Sequence, residues 1–194
     1  MMIDGQPLFD RSRSCLIVID VQQYFLDKLP LDQRAPLVAR MAWLMRVASA
    51  LQIPIIATAE DIADNGGLVE GIMTALPEGQ KVFDKLVFGL CGQADILAAV
   101  TETGRDEFVL IGLETDVCIC HSALGLQGKG YRVAAISDAT GSLPPHHEAG
   151  LTRMARAGIT ITNVKGIYYE WLRDLASLRL VDCLRCPLPP DITL

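Results

Sequence analysis

The chain has 194 residues, a net charge of −6 and a hydrophobic content of 51%, with a mean hydropathy of +0.32. No apolar run approaches the roughly 18 residues of a membrane span, and no basic patch with interleaved aromatic residues is present, so we expect neither a membrane nor a nucleic acid as a partner. The N-terminal residues lack an apolar signal segment, and the cysteines are spread over a long apolar chain, which predicts reduced thiols in a cytoplasmic protein.

Apolar runs rich in β-branched residues alternate along the chain with segments in which apolar residues recur at helical spacing. Strands are predicted at 15–19, 53–59, 81–84, 107–112, 131–137 and 159–164. Helices are predicted at 35–51, 69–76, 93–102, 116–127, 146–157 and 168–178. This alternation is typical of right-handed β-α-β units and predicts an α/β protein with a parallel sheet.

Ligands of open α/β sheets bind at the carboxyl ends of the strands, so these ends are the places to search for chemistry. The first strand is followed by Asp20 and Gln22 without any glycine, which excludes a dinucleotide fingerprint of the G-x-G-x-x-G type, and no P-loop lysine motif is present. The strand ends offer instead Asp20, then Lys85 after the third strand, and the segment from Gly112 to Cys118 after the fourth.

Cys118 has the position of a cysteine nucleophile, in the first turn of a predicted helix. The positive end of the helix dipole is expected to lower the pKa of a thiol there, and backbone N–H groups of the turn can receive an oxyanion. Asp20 can accept the thiol proton and pass it to a leaving amine, while Lys85 can hold Asp20 in place. Taken singly, Asp20 also fits a cap at a strand end, Lys85 a solvated side chain and Cys118 a core residue. The spacing alone therefore does not decide between a catalytic site and these structural roles.

The three segments together resemble the isochorismatase-like cysteine hydrolases. The D-x-Q-x-x-F motif of that family is matched by Asp20, Gln22 and Phe25. Its lysine, with an aromatic residue three positions on, is matched by Lys85 and Phe88. Its G-x-x-T-D-x-C motif is matched by Gly112, Thr115, Asp116 and Cys118. The resemblance covers residues 14–165. Within this family, the chain is similar to the branch described only as isochorismatase-domain proteins of unassigned substrate.

The resemblance implies a fold and a domain organisation. It implies a Rossmann-like, three-layer α/β/α sandwich with a six-stranded, parallel, doubly wound sheet. Residues 1–194 are expected to form one domain, with a core at 14–165 and a C-terminal helix and extended tail at 166–194. Family habit and the apolar composition also favour a homo-oligomer.

The resemblance also implies roles for individual residues. Asp20 is expected to act as general base and acid, Lys85 as its charged partner and Cys118 as the nucleophile. A cis peptide is expected at Leu113–Glu114, with the N–H groups of Glu114 and Cys118 forming the oxyanion hole. The residues expected to line the substrate pocket are Gln22, Phe25, Phe88, Cys91 and Thr115.

The chain departs from the family pattern at three places. The segment Thr58–Ile62 has no histidine where metal-dependent nicotinamidases carry metal ligands, so neither a metal nor another cofactor is expected. Glu114 replaces a residue that is usually small, and an acidic group there disfavours an anionic substrate group unless its side chain points away. Cys91 stands where an aromatic residue is common, which predicts a reshaped pocket.

The leading hypothesis is therefore a hydrolase that acts on a small amide, ureido or related C–N substrate through a covalent thioester, with vinyl-ether cleavage as a sub-case. One alternative is a non-catalytic scaffold or partner-binding protein of the same fold. A second is a thiol redox protein using Cys118 and Cys120, which diverge on a helix. A phosphorylated receiver domain fits poorly, and the spacing of Cys183 and Cys186 is best taken as coincidence.

Overall fold

A six-stranded parallel sheet forms the centre of the computed structural model, which describes residues 8–182, 188–189 and 191–194. The strand order is β3-β2-β1-β4-β5-β6. The strands are β1 Ser14–Ile19, β2 Ile55–Glu60, β3 Val82–Lys85, β4 Glu107–Leu113, β5 Arg132–Gly141 and β6 Thr160–Thr162. The predicted α/β fold with a parallel sheet is confirmed.

Helices connect the strands and cover both faces of the sheet. They are α1 Gln23–Leu26, α2 Leu31–Ala50, α3 Ile62–Asn65, α4 Glu70–Met73, α5 Ala94–Glu102, α6 Cys120–Gly128, α7 His146–Arg156, α8 Val164–Leu172 and α9 Leu175–Asp182. A short 3₁₀ helix spans Leu90–Gly92, and a π-helical turn spans Thr115–Ile119. Within the described ranges, no helix is both long enough and apolar enough to cross a bilayer.

The sheet is buried on both faces, as the continuous apolar run of β1 predicts. Leu16 and Val18 face a core that includes Trp43 of α2 and Trp171 of α8. Their neighbours in β1 face a second core, formed with side chains of α5, α6 and α7. Because successive side chains of a strand point to opposite faces, one short segment supports both layers.

Several predicted elements have different bounds in the structure: α2 begins at Leu31 rather than at residue 35, α4 covers only part of 69–76, and β5 continues to Gly141. The single helix predicted at 168–178 is wrong: α8 ends at Leu172, Arg173 has a left-handed φ of 69°, and α9 starts at Leu175. The strand predicted at 159–164 is shorter because the side chain of Asn163 accepts the N–H of Gly166 and caps α8. Cys183, Cys186 and the rest of 183–187 in the predicted tail lie outside the described residues.

The strand order determines where a site can form. The chain moves outward from β1 to β2 and β3, then returns to the other side of β1 with β4. The carboxyl ends of β1 and β4 therefore lie side by side at the switch point of the sheet, where doubly wound folds bind ligands. Asp20 follows β1, and the π-helical turn that carries Cys118 follows β4.

Candidate active site

Asp20, Lys85 and Cys118 come together at this switch point. The Lys85 ammonium lies 2.9 Å from Asp20 Oδ2 and 3.7 Å from Cys118 Sγ. Its Nζ also donates to the carbonyl oxygen of Val87 at 2.6 Å. Asp20 Oδ1 accepts a hydrogen bond from the Thr58 hydroxyl at 2.8 Å. Asp20 and Lys85 are fully buried and Cys118 is 2% exposed, so the cluster lies beneath the surface.

Glu60 is a fourth member of the cluster that the sequence analysis did not identify. Its Oε2 atom accepts from Lys85 Nζ at 3.0 Å and from Cys118 Sγ at 3.2 Å. Glu60 is the last residue of β2 and pairs in register with Lys85, the last residue of β3. The sequence signal for Glu60 is its position at the end of a strand, in the segment Thr58–Ile62 that lacks the histidines of a metal site.

The pKa of the Cys118 thiol is raised, opposite to the direction expected from a helix N-terminus. Burial is the main cause, and the negative charges of Asp20 and Glu60 act in the same direction, while Lys85 opposes them. The expected helix dipole does not dominate because two carboxylates and a nearly closed environment surround the sulfur. The Cys118 thiol therefore keeps its proton to higher pH than an exposed thiol, and a base would be needed to ionise it near neutral pH.

The two buried charged groups also have shifted pKa values. Burial raises the pKa of Asp20, against the lowering effect of Lys85 and of the hydrogen bond from Thr58. Burial is the largest effect on the pKa of Lys85 and lowers it, but the charges of Asp20 and Cys118 and the hydrogen bonds to Asp20 and Glu60 together outweigh burial, so the net pKa is raised. Lys85 is thus held as an ammonium between carboxylates.

The same cluster contains the donor types of a metal site, but its charges do not suit a cation. Ligand atoms of Asp20, Glu60 and Cys118 lie within 4.8 Å of one another. The ammonium of Lys85 contacts both carboxylates, so the position between them already carries a positive charge. This donor set is better described as an ion-pair cluster around a thiol.

The turn that carries Cys118 is attached to β5 and α7. Ser142 Oγ accepts the N–H of Thr115 at 2.8 Å and donates to Asp116 Oδ1 at 2.7 Å. The Thr115 hydroxyl lies 2.8 Å from Nδ1 of His147, a contact that we did not predict. Thr115 is fully buried, so its hydroxyl faces this network rather than open solvent.

The Leu113–Glu114 peptide is cis in the structure. The Glu114 carboxylate pairs with Lys28 at 3.2 Å, and both side chains are partly exposed. Lys28 Nζ in turn lies 4.6 Å from the ring centroid of Phe25. The charge of Glu114 therefore has a counterion of its own, separate from Lys85.

The remaining expected pocket residues have different surroundings. Both N–H donors of the Gln22 amide are used, by the carbonyl oxygens of Glu60 and Gly66, and Gln22 is fully buried. Phe25 is buried, whereas Phe88 is 60% exposed at the surface. Cys91 is half-buried and packs against Gly125 of α6.

A cavity of about 360 Å³ lies between α2, the end of β5 and the start of α7. Its lining includes Arg40, Asp138, Ser142 and His147, but not Cys118. Ser142 and His147 belong to both the cavity wall and the network that holds the π-helical turn. The cavity is thus lined by residues that hold the π-helical turn and not by the Cys118 sulfur.

The comparisons with known proteins agree with this fold. The isochorismatase domain model matches residues 14–165. The secreted isochorismatase effector Isc1 of Phytophthora sojae is 30% identical over 169 residues, which cover 84% of this chain and 79% of that protein.

Two solved structures are similar with a TM-score of 0.82 and 21% identity each. One is the MAR1 ribonuclease of Caenorhabditis elegans, for which the match covers 96% of this chain and 98% of that chain. The other is the YcaC gene product of Escherichia coli, described as an octameric hydrolase of unknown specificity, with 94% and 91% covered. Because the family model spans most of its length, the chain belongs to the isochorismatase family.

Proposed function

We propose that the protein is a cysteine-dependent hydrolase of small amide, ureido or related C–N substrates, with vinyl-ether cleavage as a sub-case. The observation that supports this proposal is the ion-pair cluster of Asp20 and Lys85 around the Cys118 thiol. Membership of the isochorismatase family supports a hydrolase function. We also propose the reaction type and the catalytic roles of Asp20, Lys85 and Cys118.

The reaction follows from the protonation states of the cluster. Asp20 takes the proton of Cys118 as the sulfur attacks the substrate carbonyl, and the Lys85 ammonium offsets the charge that develops. The raised pKa of Asp20 makes this carboxylate a stronger base than an exposed one. Asp20 then delivers the proton to the departing amine, which leaves a thioester on Cys118 that water hydrolyses to the acid and the free thiol.

Backbone N–H groups supply the remaining requirement, a place for the oxyanion. In this proposal the N–H groups of Glu114 and Cys118 stabilise the negative oxygen of the tetrahedral intermediate. The π-helical turn that carries them is attached to β5 through Ser142. Thr115 and Phe25 belong to the wall beside that position, and Phe88 and Cys91 to the loop that follows Lys85.

The proposal extends to assembly, partners and location. We propose a homo-oligomer, since the structurally similar YcaC is described as octameric. The name of MAR1 refers to a ribonuclease, but the acidic net charge of this chain favours a small-molecule substrate over nucleic acid. A cytoplasmic location is proposed on the composition of the chain, although Isc1 is described as secreted.

The decisive experiment is a turnover screen of small primary amides and ureido acids with the wild-type protein and the Cys118→Ala variant. We expect ammonia release by the wild type and none by Cys118→Ala. Cys120→Ala is the matched control, because Cys120 is also buried and lies two residues away. A Cys118→Ala protein that retains full turnover contradicts the thiol mechanism.

The second candidate is a partner-binding protein that uses the same fold without catalysis. The observation that favours it is the 2% exposure of Cys118, which leaves little access to the sulfur in this conformation. A protein whose Cys118 reacts with neither substrates nor small alkylating agents would support this candidate.

A further inference from the structure

Glu60 differs from the other charged groups of the cluster in its access to solvent. Its side chain is 18% exposed, whereas Asp20 and Lys85 are fully buried. Its carboxylate also contacts the Cys118 sulfur directly, at 3.2 Å. A substrate that reaches the sulfur from solvent therefore passes the negative charge of Glu60.

Lys85 cannot compensate this charge for an incoming anion. An ammonium has three hydrogens, and those of Lys85 face Asp20, Glu60 and the carbonyl oxygen of Val87 within 3.0 Å. The ammonium is fully buried as well. It therefore has no hydrogen to offer to a substrate carboxylate near the sulfur.

Hydrogen bonds hold both the backbone and the carboxylate of Glu60, the carboxylate through the Lys85 ammonium at 3.0 Å. The Gln22 side chain accepts the N–H of Glu60 at 2.7 Å and donates to its carbonyl oxygen at 2.8 Å. The Asn65 amide donates to the same carbonyl at 3.2 Å. Gln22 thus holds the backbone of Glu60 in place through two hydrogen bonds.

We propose that Glu60 is a specificity-determining residue that restricts the site to neutral or cationic carbonyl substrates and excludes those with a carboxylate close to the scissile bond. This inference rests on the proposed function and adds the charge class of the substrate. A carboxylate group beside the reacting carbonyl would lie within a few ångströms of Glu60, where like charges repel strongly in a partly dehydrated site.

The test uses two thiol reagents of similar size and opposite charge, the trimethylammonium-ethyl and the sulfonatoethyl methanethiosulfonates. Their rates at Cys118 are read by peptide mass spectrometry and divided by their rates with free 2-mercaptoethanol. We expect the wild type to favour the cationic reagent by about tenfold or more, and Glu60→Gln to reduce this preference by about tenfold. Glutamine keeps the size of the side chain and its acceptor oxygen.

Asp64→Asn is the matched control, because Asp64 is an exposed carboxylate in α3, the short helix that follows Glu60. We expect this variant to keep the wild-type preference. Equal preferences in wild type and Glu60→Gln overturn the inference. A Cys118 that reacts with neither reagent also overturns the inference, because a site that admits neither reagent cannot distinguish their charges.

A salt titration of the wild type gives a second readout that does not depend on the folding of a variant. Raising the ionic strength from 0.1 M to 1 M shortens the Debye length from about 10 Å to about 3 Å, so the preference should decrease. A preference that is independent of salt contradicts a charge effect. Since no turnover is measured, a failed amide screen with an intact charge preference overturns only the proposed function.

Discussion

Lys85 is the residue on which the charge balance of the site depends. It is fully buried and lies within 3.0 Å of the carboxylates of Asp20 and Glu60. Removing one partner of a buried ion pair leaves an uncompensated charge in a medium of low dielectric constant. The same ammonium is also the group that lowers the pKa of Cys118 against burial and the two carboxylates.

We therefore expect Lys85→Met to lower the free energy of unfolding by about 3–5 kcal/mol, measured by urea denaturation. The rate of iodoacetamide modification of Cys118 at pH 8 should fall as well, because the pKa of the thiol rises further. Lys28→Met is the control: its pair with Glu114 is partly exposed, and such pairs contribute at most about 1 kcal/mol. Equal stabilities of the two variants would contradict this account.

The residues of the site are predictable from sequence only where a chemically reactive residue type stands at or after the end of a strand. Asp20, Lys85 and Cys118 each follow or end a strand, and parallel strands bring such residues together. Glu60 ends a strand too, but a single glutamate there has no motif of its own. The direction of the Cys118 pKa shift was not predictable, because burial depends on packing of the whole chain.

At the scale of elements, the backbones of β1 and β4 approach each other closely near the site. Gly112 has a φ of 128°, and a Cβ atom there would lie 1.9 Å from the carbonyl oxygen of Ile19. The two strands pair in register at these residues. Only glycine allows this approach, which sets the distance between the ends of β1 and β4.

We expect Gly112→Ala to prevent folding or to lower the unfolding midpoint far more than a typical substitution, as measured by circular dichroism during thermal denaturation. Gly128→Ala is the control, because a Cβ atom at the end of α6 meets no atom within 4 Å. That change should be neutral or stabilise by up to about 1 kcal/mol. A well-folded Gly112→Ala protein would disprove the close approach.

The attachment of the π-helical turn to β5 depends on one hydroxyl group. Ser142 is buried and bonds both Thr115 N–H and Asp116. Ser142→Ala leaves a buried N–H without its partner, which costs about 1–3 kcal/mol. We also expect faster alkylation of Cys118, because a loosened turn exposes its sulfur.

The control for this prediction is Ser137→Ala. Ser137 lies in β5, the strand that ends just before Ser142, but its hydroxyl donates to the carbonyl oxygen of Thr162 in β6, away from the turn. The two variants should both lose stability in urea denaturation, and only Ser142→Ala should change the alkylation rate. Equal alkylation rates in the two variants would show that the hydroxyl does not hold the turn.

Most element types follow from apolar periodicity, and the exceptions have local causes. The π-helical turn before α6 lies within a predicted helix, because its apolar spacing is the same as that of an α-helix over so few residues. The break between α8 and α9 was missed because Arg173, which has the positive φ there, is not a residue type associated with helix ends. Such positions are determined by tertiary packing.

At the scale of the whole molecule, large apolar side chains remain exposed next to the site. Leu86 is 70% exposed and Phe88 is 60% exposed, both in the loop that follows Lys85. Exposed apolar groups of this size favour contact with another surface. We expect light scattering to give a particle mass that is a multiple of the 21.1 kDa chain mass. The double variant Leu86→Ser/Phe88→Ser should have a lower particle mass. A wild-type monomer at working concentration would contradict this prediction.

Buried thiols make the stability of the whole protein sensitive to alkaline pH. Burial raises the pKa of Cys15 to about 12, while an unfolded thiol has a pKa of about 8.5. Between these values the native state keeps a proton that the unfolded state loses, so the free energy of unfolding falls as pH rises, by about 1.4 kcal/mol per pH unit. The raised pKa of Cys118 adds a contribution of the same sign.

We expect Cys15→Ala to remove the contribution of Cys15 to this decrease in the free energy of unfolding, which amounts to about 2 kcal/mol at pH 10. The measurement is urea denaturation under reducing conditions at pH 7.5 and pH 10, with the difference between the two free energies as the readout. Ile17→Val is the control, because it removes a methyl group from the same core layer without changing any titratable group. If Cys15→Ala and Ile17→Val lose the same free energy between the two pH values, proton release by the Cys15 thiol on unfolding is not what limits alkaline stability.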